Sequence, residues 1–73
     1  MILLNAPIQQ DKIIDTLTHY SENGVSYKFI KKNGMKLYFE TTAENEEEAA
    51  QLAKKIIKGT DYGSVLYFQA TVE

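Results

Sequence analysis

Apolar positions along this chain recur with two different periods, and the switches between them mark out six elements. Ile2, Leu3 and Leu4 form a short apolar run closed by Asn5 and Pro7, too short for a helix and consistent with a buried strand. Ile13, Ile14, Leu17 and Tyr20 then recur at helical spacing, with Asp11, Lys12, Asp15, Thr16 and Thr18 on the other side. This predicts an amphipathic helix over residues 10–22, with Asp11 near its start and Gly24 just past its end. Val25, Tyr27 and Phe29 alternate with Ser26, Lys28 and Ile30, and Met35, Leu37 and Phe39 alternate with Lys36, Tyr38 and Glu40, so two strands follow. A three-residue loop, Lys32-Asn33-Gly34, would place Leu37 opposite Phe29 and Phe39 opposite Tyr27, uniting the apolar set on one face. A two-residue turn at Asn33-Gly34 would mix the faces.

The second helix is predicted over residues 45–58. Asn45 is a good N-cap, and Glu48 three residues later completes a capping-box-like pair. Ala49, Leu52, Ala53, Ile56 and Ile57 make its apolar stripe. Glu46, Glu47 and Glu48 in the first turn, with Lys54, Lys55 and Lys58 toward the end, complement the helix dipole. Gly59 stops it, Thr60-Asp61-Tyr62-Gly63 turns, and residues 64–72 form a last strand rich in aromatic and β-branched side chains.

The element order is therefore β-α-β-β-α-β, in one domain spanning residues 1–73. That order resembles the ferredoxin-like fold, an α+β two-layer sandwich. The resemblance implies a four-stranded antiparallel sheet of order 4-1-3-2 with two helices on one face. It rests on element order alone and carries no functional motif, and this fold hosts many unrelated functions.

In such a sheet the inward face would hold Val25, Tyr27, Phe29, Met35, Leu37 and Phe39, with Leu66, Phe68, Ala70 and Val72 from the last strand. The opposite face, with no helix over it, would carry Ile30, Tyr38, Val65, Tyr67, Gln69 and Thr71 among polar neighbours. The two edges differ. Lys28, Lys31 and Lys32 guard one, a common defence against unwanted pairing. The other, Ser64 to Val72, has no charge and no proline, which invites pairing. These features point to a symmetric homodimer that uses Ile30, Tyr38, Val65, Tyr67, Gln69 and Thr71. The chain would then serve as an interaction or small-ligand regulatory module, without enzymatic activity.

Charge and composition narrow the alternatives. At 73 residues, 44% hydrophobic and 25% charged, the chain is globular in composition and too short for a deep enclosed cavity. A net charge of −2 argues against a protein that lives on phosphate contacts. The alternative is RNA or single-strand binding on the open face, through Lys28, Lys36, Tyr38 and Tyr67. Lys36-Leu37-Tyr38-Phe39-Glu40 shares only a lysine and one aromatic with the RNA-recognition signature, and Glu40 sits beside the platform. The absence of cysteine removes disulfides, thiolate metal sites and cysteine nucleophiles, and fits a reducing cytoplasm. No apolar run approaches membrane-span length, and the first residues are too short and uncharged to read as a signal peptide.

Candidate chemistry is sparse. Asp11, Asp15 and His19 fall at i, i+4 and i+8 with Glu22 three further on, a spacing that suits an oxygen–imidazole metal site but equally an ordinary solvated helix face. His19 is the only histidine, so a multi-histidine zinc site is excluded, and a triad with Ser21, Ser26 or Ser64 lacks any nucleophile elbow. Glu40 and Asp61 show no cleft that would shift their acidity. The glycines fit turns and caps, not phosphate-binding spacings. No catalytic residue, metal ligand or cofactor is assigned.

Overall fold

A computed structural model describes every residue from Met1 to Glu73. The chain is an α+β protein with two helices and a five-stranded antiparallel sheet. Its elements are β1 (Ile2–Asn5), α1 (Gln10–Thr18), β2 (Ser21–Glu22), β3 (Val25–Asn33), β4 (Lys36–Thr41), α2 (Glu46–Lys58) and β5 (Gln69–Val72). A single 3-10 turn, Gly63–Val65, precedes β5. The sheet order is β2-β3-β4-β1-β5. The four longer strands lie in the order that the resemblance implies, and β2 is a fifth strand added at one edge.

β2 corrects the first helix. α1 ends at Thr18 rather than at residue 22. Ser21 and Glu22 instead pair with Ser26 and Val25 across a tight turn. Asn23 and Gly24 form that turn with φ of 54° and 76°, the two left-handed residues a type I′ hairpin requires. Tyr20 lies at helical spacing from Leu17 but is half-buried beyond the helix, its ring 6.1 Å from that of Tyr27.

The β3–β4 hairpin also departs from expectation. Asn33 pairs with Lys36, so the loop is the two residues Gly34 and Met35. Gly34 has positive φ and Met35 does not, which is the II′ pattern. Phe29 faces Phe39 and Tyr27 faces Thr41, not Leu37 and Phe39. A bulge at Ile30 shifts the register between Phe29 and Lys31. The extra residue resets the alternation, so a short loop coexists with a united apolar face. Met35, expected inward, is consequently at the loop tip and exposed.

α2 follows its sequence closely. The Asn45 side chain accepts from the Glu48 amide at 3.1 Å, three glutamates occupy the first turn, and Lys55 and Lys58 occupy the last. α1 has no side-chain cap and begins from Gln9 in a left-handed conformation. Its start is tied down by Gln10, whose Nε2 donates to the carbonyls of Ala6 and Gly34, each at 2.9 Å.

The core lies between the helices and one sheet face. Ile2 and Leu4 of β1, Leu37 and Phe39 of β4, Ile13 and Leu17 of α1, and Ala53 and Ile57 of α2 are fully buried there. Each large aliphatic contributes on the order of 1.5–3 kcal/mol through burial. Phe29 meets Phe39 edge-on at 5.5 Å. Leu66 and Phe68 complete the core from the segment before β5. That segment corrects the last strand: residues 64–72 do not pair throughout, and the ladder to β1 spans Gln69–Val72 only.

Candidate interaction surface

Strand register assigns the helix-free face. Leu3 lies between Tyr38 and Thr71, and Asn5 lies between Lys36 and Gln69. Two rows therefore cross β4, β1 and β5: Tyr38–Leu3–Thr71 and Lys36–Asn5–Gln69. Tyr67 extends this surface beyond the start of β5 and is 69% exposed. Its neighbours around an open hollow of about 260 Å³ are Asn5, Pro7, Met35, Phe68 and Gln69. Val65, 88% exposed, stands on the 3-10 turn just ahead. Gln69 and Thr71 are exposed.

Two of the expected surface residues are placed differently. Ile30 sits at the β3 bulge, with β4 and β1 between it and β5, so it does not join Tyr67 and Thr71. Tyr38 is on the expected face but only 8% exposed, and Lys31 Nζ lies 4.8 Å from the ring centroid. Lys28 and Lys36 are exposed, and Lys28 faces Glu40 across the β3–β4 ladder. The four residues of the nucleic-acid alternative thus spread across two strands and the segment before β5, with the aromatic of the central strand covered.

Met35 and Pro7 border this hollow and Ile8 is exposed next to Pro7, although the sequence pattern placed none of the three on a surface. Met35 and Ile8 are 52% and 61% exposed. The signal for Met35 is its place directly after Gly34, at the second position of a two-residue loop. The signal for Ile8 is its position ahead of the first helical repeat, where no inward face yet exists.

No known protein family, curated protein or solved structure matches this chain.

Asp15 and His19 form an exposed i, i+4 pair at 3.1 Å, and His19 Nδ1 also donates to the Asp15 carbonyl at 2.8 Å. Glu22 is on β2, off the helix that carries Asp11 and Asp15. No three acidic or histidine side chains converge. Ser26 lies near Thr42 and Ser64 donates to the Asp61 carbonyl, so neither engages His19. Glu40 and Asp61 are both exposed. No helix is long and apolar enough to cross a membrane.

One hydroxyl has a shifted acidity. Tyr27 is buried and donates to the Ala49 carbonyl at 2.7 Å, joining β3 to α2. Burial, with the neighbouring Tyr20 second, pushes its pKa from 10.0 up to about 12.

Proposed function

We propose that this chain is a non-enzymatic cytoplasmic module with a ferredoxin-like sheet, and that it works as a homodimer in protein interaction or small-ligand regulation. The observation that carries this reading is the β5 end of the sheet. It is a free edge, uncharged from Ser64 to Val72, and it presents Val65 and Tyr67 at 88% and 69% exposure. A lone exposed apolar residue is ordinary in a small protein. Two on one uncharged edge, beside exposed Met35, favour an association surface. The covered ring of Tyr38 removes one of the two stacking platforms that a single-strand-binding sheet would use. The lack of cysteine suits a cytoplasmic setting.

The test is the native mass from low to high micromolar concentration. A mass approaching twice 8.3 kDa is expected. Tyr67→Glu should then weaken the dimer by about tenfold or more, since it replaces an exposed apolar ring with a charge. A mass that stays at 8.3 kDa through high micromolar concentration would remove the dimer. Extra mass retained on a dimer would identify a bound small ligand.

A further inference from the structure

The backbone of β5 specifies how a second copy would bind. In an antiparallel ladder, residues alternate between exchanging both backbone hydrogen bonds with one neighbour and turning them to the other side. The Glu73 amide donates to the Met1 carbonyl, and the Ala6 amide donates to the Met35 carbonyl, both at 2.9 Å. With Ile2 opposite both Val72 and Phe39, this parity sends the odd-numbered residues of β1 to β5 and the even-numbered ones to β4. On β5, Gln69 and Thr71 therefore bond inward to β1. Ala70 and Val72 turn their amides and carbonyls to the open edge. No hydrogen bond outside the ladders reaches either residue. Phe68 continues the alternation: its side chain is buried on the same side as that of Ala70, between exposed Tyr67 and Gln69.

We infer that two copies pair β5 to β5 antiparallel about a two-fold axis through Ala70, with Phe68 opposite the partner's Val72, forming one continuous sheet. This rests on the reading of the chain as self-associating. In this register every backbone group that Phe68, Ala70 and Val72 turn outward meets its counterpart. A two-fold axis at Thr71 would leave Phe68 unpaired.

Charge selects this edge and this occupant. The facing pairs are Phe68 with Val72, Gln69 with Thr71, and Ala70 with itself, so no charge opposes another within the ladder. The opposite edge carries exposed Lys28, Lys31 and Lys32 on β3, and β2 already covers the start of that strand. Like charges facing across a strand pair oppose association there. Joining β5 to the lysine edge of another copy would be heterologous and would build a ring or an open fibre, whereas β5 with β5 closes at two copies. The helix layer leaves room. Glu47, Ala50 and Gln51 of α2 border an open hollow of about 280 Å³ with Ala70, Thr71 and Val72. Val72, 39% exposed, lies at its rim and would be covered on pairing.

Amide exchange followed residue by residue, in dilute and in concentrated protein, tests the register. The Thr71 amide should be protected at both concentrations. The Ala70 and Val72 amides should exchange freely when dilute and slow by about tenfold or more when concentrated. A dimer whose Ala70 and Val72 amides still exchange freely would overturn edge pairing and leave self-association standing. A monomer throughout would overturn both. Ala70→Pro gives a second arm, because it removes an outward amide that the fold does not use. A folded, monomeric Ala70→Pro is expected, and a folded, dimeric one would overturn the inference.

Discussion

Gly63 is buried where the chain leaves α2, and its amide donates to Thr60 Oγ1 at 2.9 Å. A Cβ there would overlap the Ile57 carbonyl and come within 2.6 Å of Thr60 Oγ1. The obstacle is helix backbone, which cannot rotate away as a side chain can. Gly63→Ala should therefore destabilise the protein by about 3 kcal/mol or more in a urea titration. Gly24→Ala isolates a different penalty. That site has nothing within 4 Å of the new methyl but a φ of 76°, so the cost is left-handed strain alone, about 1 kcal/mol. Equal losses at the two sites would contradict the difference between steric overlap and strain. Tyr27 makes a third residue-scale prediction. Its hydroxyl holds its proton to about pH 12 in the fold, against 10.0 for an ordinary tyrosine. Below pH 10 both folded and unfolded chains carry the neutral hydroxyl, and the stabilisation is fully present. Between pH 10 and 12 the unfolded chain ionises first, so stability falls as pH rises. Tyr27→Phe should flatten that fall, at a cost of about 1 kcal/mol near neutrality for the lost bond to Ala49. An unchanged slope of stability against pH above 10 would show that Tyr27 does not carry it.

At the scale of elements, the bulge at Ile30 reconciles a two-residue loop with a single apolar face. Tyr27, Lys28 and Phe29 pair with Thr41, Glu40 and Phe39 on one side of it, and Lys31, Lys32 and Asn33 pair with Tyr38, Leu37 and Lys36 on the other. Removing Ile30 would join those two ladders without altering any existing pair. Phe29 would remain inward and Lys31 outward. Deletion of Ile30 should thus leave a cooperative fold within about 1 kcal/mol of the parent, with the same cross-strand contacts by NMR. Loss of the Phe29–Phe39 contact on deletion would show that the twist of the bulge is needed. The bulge also explains what a period-two pattern can and cannot convey. Alternation identified both strands, and it marked Leu37 and Phe39 as core. It could not locate an unpaired residue, because Ile30 is apolar and fits either face. The first helix shows the same ambiguity. Tyr20 packs on the core from beyond α1 and so extends the helical period past Thr18, while Asn23-Gly24 carried a hairpin signal equal to that of Asn33-Gly34. In the last segment, alternation correctly separated buried Leu66 and Phe68 from exposed Val65 and Tyr67. Period alone does not distinguish an extended chain from a paired one, so the 3-10 turn at Gly63–Val65 and the late start of the ladder were not legible. Tyr38 was legible as outward-facing but not as covered, since Lys31 reaches it across a register that the bulge sets.

For the whole molecule, self-association and folding are linked by mass action. If the folded chain dimerises and the unfolded chain does not, concentration adds to the stability of each protomer. Above the dissociation constant, a tenfold rise in concentration contributes half of 1.4 kcal/mol per chain, or about 0.7 kcal/mol. In a domain of this size 1 kcal/mol shifts the melting temperature by about 4–8 °C. The parent protein should therefore melt about 3–6 °C higher for each tenfold increase in concentration. Ala70→Pro should melt at one temperature throughout, because it keeps the ladder from β5 to β1 and loses only the outward pairing. Tyr67→Glu should fall between the two, with its concentration dependence displaced to higher protein concentration. Melting temperatures that are flat for the parent across the micromolar range would mean that the uncharged edge stays solvated in the folded protein. Equal concentration dependence in the parent and in Ala70→Pro would move the dimer contact off the β5 edge and onto the exposed surface around Tyr67 and Met35.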